Sequence, residues 1–229
     1  MDRGERAKVV DLDDLRGRTR VFRTRAEAGG ILADMLRSAV GPGTVVLGIP
    51  AGGVPVAAVI AERLGLPLGA AVVSKITPPW NTELGYGAVA FDGTVVMNER
   101  MAAGLGLNEE EVAKGIARAR KKVARRVRLL AGDRPMPDLA GRTVVLVDDG
   151  LATGYTMACA LNAIARLRAR EKIVAVPTGH REAVERIADQ ADAVYCANLR
   201  AGMQFAVADA YERWYDVPDA EVAGILAKF

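Results

Sequence analysis

Residues 143–156 read TVVLVDDGLATGYT, and this stretch decides how the chain is organised. Thr143 to Val147 are all Val, Leu or Thr, a β-branched apolar run that predicts a strand buried on both faces. Asp148 and Asp149 then fall at the carboxyl end of that strand, and a loop of small residues leads into a helix from about Tyr155. In open α/β sheets, ligands bind in the crevice outside the carboxyl ends of the strands, where a following helix also turns unpaired N–H groups outward. Gly150, Ala152 and Gly154 allow the backbone close to an anion, and Thr153 and Thr156 add hydroxyl donors. The two carboxylates can accept hydrogen bonds from vicinal hydroxyls or hold a hydrated magnesium ion. Acidic pairs after strands also serve as helix caps, but a cap does not require this whole succession. The residue types suit a sugar phosphate.

The segment VLVDDGLATGYT resembles the phosphoribosyl pyrophosphate (PRPP) signature of type I phosphoribosyltransferases. The resemblance implies that Asp148 and Asp149 bind the ribose 2′ and 3′ hydroxyls. It gives the PRPP-binding set Asp148, Asp149, Gly150, Leu151, Ala152, Thr153, Gly154, Tyr155 and Thr156, with the last five wrapping the 5′-phosphate. Gly150 departs from the family, which carries an aliphatic residue there, and the departure could loosen the loop. Ala152 stands where hypoxanthine-guanine enzymes place an acidic residue, so the loop is closer to the adenine and orotate versions. The implied reaction displaces pyrophosphate from ribose C1′ of PRPP by a nitrogenous base or similar acceptor, with Mg2+ as cofactor held at Asp148 and Asp149 through water or the diol. The alternative is a PRPP-sensing or RNA-binding regulator that keeps the site with little catalysis.

The implied fold is a Rossmann-like α/β domain, a mostly parallel sheet flanked by helices with a small hood and a lid. The alternation of strands and helices along the chain agrees with it. A single domain over residues 1–229 is expected, with its core at about 22–196, a lid at about 75–106 and a hood at about 197–217 plus a C-terminal helix. Thr24 and Glu27 form a capping box for a helix to about Val40, ended by Gly41-Pro42-Gly43. Strands are expected at Thr44–Ile49, Gly69–Ser74, Thr143–Val147, Lys172–Val176 and Ala193–Cys196, with a hairpin over Gly87–Met97. Helices are expected at Val54–Leu64, Tyr155–Arg168 and Arg181–Ala188. Asn108 and Glu111 cap a long helix with Val112, Ile116, Val123, Val127 and Leu130 at helical spacing.

A second small-residue loop, PAGG at 50–53 within LGIPAGGVPVAA, again joins a strand end to a helix. The resemblance makes Ala51, Gly52 and Gly53 the pyrophosphate loop; read alone, the motif is equally a tight turn. Lys75, directly after the second strand, is a candidate catalytic residue that could reach the diphosphate. WNTELGYGAVAFDG (80–93) resembles the family's mobile lid, with Glu83, Gly85, Tyr86 and Gly87 as candidates; a lid matters because water would intercept the intermediate. The segment 195–217 occupies the place of the acceptor hood, with Phe205 expected to stack on the acceptor, Asp209 to hydrogen-bond it, and Trp214 or Tyr215 to pack behind. His180, the only histidine, is expected at the surface.

The helix after Asn108 carries Lys114, Arg118, Arg120, Lys121, Lys122, Arg125, Arg126 and Arg128. A solvated face, contact with substrate phosphates (within the chain or across a dimer) and RNA binding all remain open for it. The helix lacks the aromatic residues that would stack unpaired bases, which argues against RNA. The net charge of +3, from 31 basic and 28 acidic residues, does not indicate a general nucleic-acid role. Cys159 and Cys196, far apart among apolar neighbours, suggest neither a disulfide framework nor a thiolate metal cage. The charged start MDRGERAKVVDLDD reads as too charged for a signal peptide, and no apolar stretch approaches a membrane span. A cytoplasmic homodimer acting in nucleotide metabolism is the setting expected from these features and the resemblance, without membrane or nucleic-acid partners.

Overall fold

The β-branched run at 143–147 forms the strand expected, buried along its whole length, and it lies near the middle of the main sheet. A computed structural model describes residues 8–81, 84–131 and 136–229. The strands are β1 (Lys8–Val10), β2 (Val45–Gly48), β3 (Leu68–Ala70), β4 (Val73–Ile76), β5 (Gly87–Ala90), β6 (Val95–Met97), β7 (Thr143–Val147), β8 (Glu171–His180) and β9 (Ala193–Arg200). The helices are α1 (Arg25–Leu36), α2 (Gly53–Leu64), α3 (Glu99–Gly104), α4 (Glu109–Ala131), α5 (Tyr155–Arg166), α6 (Arg181–Ala188) and α7 (Asp219–Leu226). Six strands pair in the order β1-β9-β8-β7-β2-β3, all parallel. β4, β5 and β6 form a separate antiparallel sheet.

Period-two alternation assigns the two faces of the main sheet. Val46, Val145, Val147 and Ile173 pack with α1, α2, α4 and α7, whereas Val45, Leu47, Val144, Leu146 and Val174 pack with α5 and α6. Both faces are therefore covered, which is why these strands read as continuous apolar runs. From β2 the chain goes outward to β3 and later returns on the other side to β7. The pair β2 and β7 is consequently the point where strand order reverses, and a crevice opens there between divergent loops. The register Gly48↔Val147 brings the ends of these strands level, so 50–53 and 148–149 face one another.

Several expected boundaries shift for physical reasons. The expected strand 69–74 is two strands in two sheets, because no Gly or Pro between Ala70 and Val73 marks the place where the chain leaves the main sheet. β8 and β9 run to His180 and Arg200, beyond the expected Val176 and Cys196. Pro177 can donate no hydrogen bond and reads as a stop, but Thr178, Gly179 and His180 resume the ladder with Asn198, Leu199 and Arg200. β1 is an edge strand of three residues within a charged segment, too short to signal itself. α1 ends at Leu36, and its cap is shared differently from a standard box: Thr24 Oγ1 accepts from Glu27 N–H, while the Glu27 carboxylate takes Arg23 N–H. The Asn108–Glu111 box is reciprocal as expected, with bonds of 2.9 and 3.0 Å.

α4 lays Ala119, Val123 and Leu130 onto the core and packs against β4, β5 and α7. Tyr86, fully buried in the hairpin, points its hydroxyl at Gly115 of α4 so closely that a Cβ there would lie 2.2 Å from the oxygen. Among the described residues no group bonds that hydroxyl. Leaving a buried donor unpaired costs about 1–3 kcal/mol. Tyr86→Phe is therefore expected to stabilise the chain by about 1 kcal/mol, read as a higher denaturant midpoint at unchanged slope; a lower midpoint would mean the hydroxyl is bonded in solution.

Candidate functional site

The crevice is a cavity of about 540 Å³ at the carboxyl ends of β2 and β7. Asp148 and Asp149 line it after β7 together with Thr156 of α5, Pro50, Ala51 and Gly52 line it after β2, and Lys75 of β4 with Arg118, Lys122 and Arg126 of α4 complete the lining. Arg118, Lys122 and Arg126 are four residues apart, so one face of α4 presents three cations to the two carboxylates. The basic helix is thus not uniformly solvated. Arg126 is itself anchored, bonding Asp219 through Nε at 2.9 Å and the Pro50 carbonyl through Nη1 at 3.3 Å.

The two small-residue loops meet more tightly than their sequences indicate. A Cβ on Gly52 would sit 1.7 Å from Asp149 Oδ2, and one on Gly53 would sit 2.5 Å from the Val147 carbonyl. Glycine is therefore required here for close approach of two loops. Gly53 N–H donates to the Ile49 carbonyl at 3.0 Å, whereas those of Ala51 and Gly52 find no acceptor among the described residues. The pair of free donors is Ala51 and Gly52 rather than all three loop residues.

After the carboxylates, Leu151 docks on β8, donating to the Thr178 carbonyl at 2.9 Å and accepting from His180 N–H at 2.8 Å. Ala152 and Thr153 are exposed, Gly154 takes φ +77° as the cap of α5, and the N–H groups of the first turn of α5 have no intrahelical acceptor. Such a terminus attracts anions. Arg186 Nη1 holds the Thr153 carbonyl at 2.7 Å, and Asn98 Nδ2 donates to Tyr155 Oη at 2.6 Å. Gly150 does not loosen the loop: the space of a side chain there is filled by Val207, whose Cγ1 would lie 2.4 Å from a Cβ.

The carboxylates differ in their partners. Asp148 Oδ1 accepts from Asp149 N–H at 2.9 Å, and burial followed by the neighbouring Asp149 charge pushes its carboxyl well above the ordinary carboxylate range. Burial also raises Asp149, opposed by the Arg25 guanidinium, which reaches Oδ2 through Nε at 2.9 Å and Nη2 at 2.8 Å. Tyr211 Oη donates to the Asp149 carbonyl at 2.7 Å. Arg25 and Tyr211 escaped the sequence reading because 124 and 62 residues separate them from Asp149. A cation in the first turn of α1, against the helix dipole, was the available sign that Arg25 has another partner.

The remaining expected residues lie elsewhere. The Lys75 stem runs along Gly85, 3.2 Å from where a Cβ on that glycine would be, so that one lid candidate lies against a residue of the cavity lining. Tyr86 and Gly87 are built into the buried hairpin, and Glu83 lies outside the described residues. Phe205 meets the His180 ring edge-on at 5.6 Å and lies under Arg200 at 4.8 Å; Arg200 pairs with Asp209 at 3.5 Å. Phe205 and Asp209 thus share a cluster at the ends of β8 and β9, and neither lines the cavity. Trp214 and Tyr215 are 39% and 51% exposed and pack on Arg25 rather than behind Phe205. Both cysteines are buried and free, with burial pushing the Cys159 thiol up to about 12.

The family model described as the phosphoribosyl transferase domain matches residues 19–211. The chain belongs to this family. Two Mycobacterium tuberculosis proteins, from strains CDC 1551 / Oshkosh and H37Rv, provisionally named phosphoribosyl transferases, are each 37% identical over 208 residues. The match covers 90% of this chain and 46% of theirs, so the chain spans about half the length of these relatives. The crystal structure of TT1426 from Thermus thermophilus superposes with a TM-score of 0.75 at 36% identity, covering 90% of this chain and 98% of that one. The mostly parallel sheet flanked by helices is thus the fold of type I members of the family. Among the described residues no helix is long and apolar enough to cross a membrane.

The burial of Asp148 gives a test of the site's electrostatics. Its folded pKa is raised, so folding is penalised once pH passes the ordinary unfolded value, and fully so above the folded one. Asp148→Asn, which keeps the acceptor for Asp149 N–H, is expected to raise Tm at pH 7 and to lose that advantage as pH falls below the ordinary carboxylate range. A Tm at pH 7 equal to or below that of the parent would contradict this account of the pair.

Proposed function

We propose that the chain transfers a phosphoribosyl group from PRPP to a nitrogenous base or similar acceptor. The observation that carries this is one cavity in which two adjacent carboxylates at a strand end face a glycine turn with free N–H groups and a wall of cations. A ribose diol suits Asp148 and Asp149, a 5′-phosphate suits the start of α5, and a diphosphate suits Ala51 and Gly52 with Lys75, Arg118 and Lys122.

Magnesium fits this arrangement as a passenger on the diphosphate. Among the described residues no group of three or more His, Cys, Asp or Glu could cage a metal, so a cation near Asp148 and Asp149 would take most of its oxygens from substrate and water. Bound there, it would neutralise part of the diphosphate charge. The chain's own residues orient the ribose through its diol, hold the 5′-phosphate and the diphosphate, and meet the charge that grows on the leaving diphosphate as the C1′–O bond breaks. Positioning and fixed electrostatics supply most acceleration in such chemistry. The acceptor's lone pair then forms the bond to C1′, and its proton passes to the departing diphosphate or to water. Phe205 and Asp209 are the proposed hood contacts for it, and Gly85, beside Lys75, belongs to the segment proposed to close.

Thermal unfolding with PRPP and magnesium is the first test. A ligand at a hundred times its dissociation constant adds about 2.7 kcal/mol, a rise of several degrees in a chain of this size. No shift would remove the PRPP reading. Pyrophosphate release across a panel of bases then distinguishes transfer from binding alone. Asp149→Asn is expected to lower turnover a hundredfold to a thousandfold, about 2.7–4 kcal/mol. Unlike Asp148→Asn, it should also destabilise the apo chain, because it strips a buried guanidinium of its partner, a loss of about 3–5 kcal/mol. Near-normal turnover would take the carboxylate out of the mechanism.

A further inference from the structure

Arg25 is 5% exposed, yet it belongs to neither of the glycine loops nor the basic face of α4. Its guanidinium meets Asp149 Oδ2 on one side, through an Nε hydrogen bond and an Nη2 ion-pair contact, and the Tyr215 carbonyl on the other, through Nη1 at 3.0 Å. The plane is enclosed by aromatic rings: Trp214 at 4.1 Å, Tyr215 at 5.3 Å and Tyr211 at 5.8 Å from Cζ to each centroid. Tyr211 additionally bonds the Asp149 carbonyl. The segment before α1 is stitched to the same strap, with Phe22 N–H on the Ala210 carbonyl, Glu212 N–H on Phe22 and Arg213 N–H on Arg23. Arg25 and Tyr211 thus connect the strap 211–215 to Asp149.

We propose that Arg25 is a positioning residue: held by the aromatic strap, its guanidinium fixes Asp149 in the orientation that receives the ribose diol, so that PRPP affinity depends on residues 211–215. This rests on the reading of the cavity as a PRPP site. The physical argument is geometric. The Nε hydrogen bond and the Nη2 ion-pair contact of Arg25 both land on Oδ2, and Oδ1 is the oxygen the clamp does not use. A charge-assisted hydrogen bond reinforced by a second ion-pair contact pins Oδ2 in place beside Gly52, and a guanidinium stacked on aromatic rings is held there with its charge facing the carboxylate. Without it Asp149 would face the charge of Asp148 uncompensated and be free to rotate. Because Trp214 and Tyr215 hold Arg25, anything that displaces them would be felt at the diol.

Calorimetric titration of PRPP with magnesium into the full chain and three variants tests this. Arg25→Gln is expected to weaken PRPP about tenfold or more, Arg25→Lys to recover part of that loss, and Trp214→Leu, at a part-exposed ring, to weaken it several-fold. Should Arg25→Gln fail to fold, Trp214→Leu decides alone, since its ring touches the strap side of the guanidinium and not the cavity. Either variant binding PRPP as tightly as the parent, or more tightly as a released latch would, overturns the proposal while leaving the PRPP site intact. A lysine variant no better than the glutamine one overturns it too, by showing that the placed charge is immaterial. If the parent chain itself takes up no PRPP, it is the site reading that falls, and this inference with it.

Discussion

Two adjacent carboxylates can be held in a crevice only if something offsets their lost hydration and mutual repulsion. That constraint organises the structure around Asp148 and Asp149. Asp148 is served by the next backbone N–H and remains raised, a protonatable group at the floor of the cavity. Asp149 is served by a buried guanidinium, which in turn needs the Tyr215 carbonyl and three rings to hold it. Even the glycine at position 52 follows, since Oδ2 occupies the volume of its missing side chain.

The cations that line the same cavity answer that charge from other elements. Lys75 comes from the small sheet and Arg118, Lys122 and Arg126 from one face of α4, so carboxylates and cations stand on different elements. A molecule with a diol at one end and a diphosphate at the other would bridge them. The near-neutral balance of the whole chain conceals this polarity, because net charge sums over faces that never meet.

The sequence carried the fold where periodicity and punctuation agree. β7, the hairpin, α2, α5 and α6 came out close to their observed limits, and the loop 148–156 announced itself by residue order. It failed where neighbours in space override local signals. The leave-taking at Ala71 has no turn residue, Pro177 mimics a strand end, and β1 owes its existence to β9. The site was half legible for the same reason. Strand-end carboxylates and glycine turns are local patterns, whereas Arg25, Tyr211 and Val207 act through contacts across long stretches of chain, and the cavity-facing cations of α4 could not be told from its other cations without knowing which way the helix is turned.

The central claim is that these carboxylates and the turn behind them grip a phosphorylated pentose. A crystal structure of the chain soaked with PRPP and magnesium tests it directly. The account predicts the 2′ and 3′ hydroxyls on Asp148 and Asp149, the 5′-phosphate against the N–H groups at the start of α5, and the diphosphate beside Ala51 and Gly52. PRPP bound elsewhere, or with its diol turned away from both carboxylates, would contradict it.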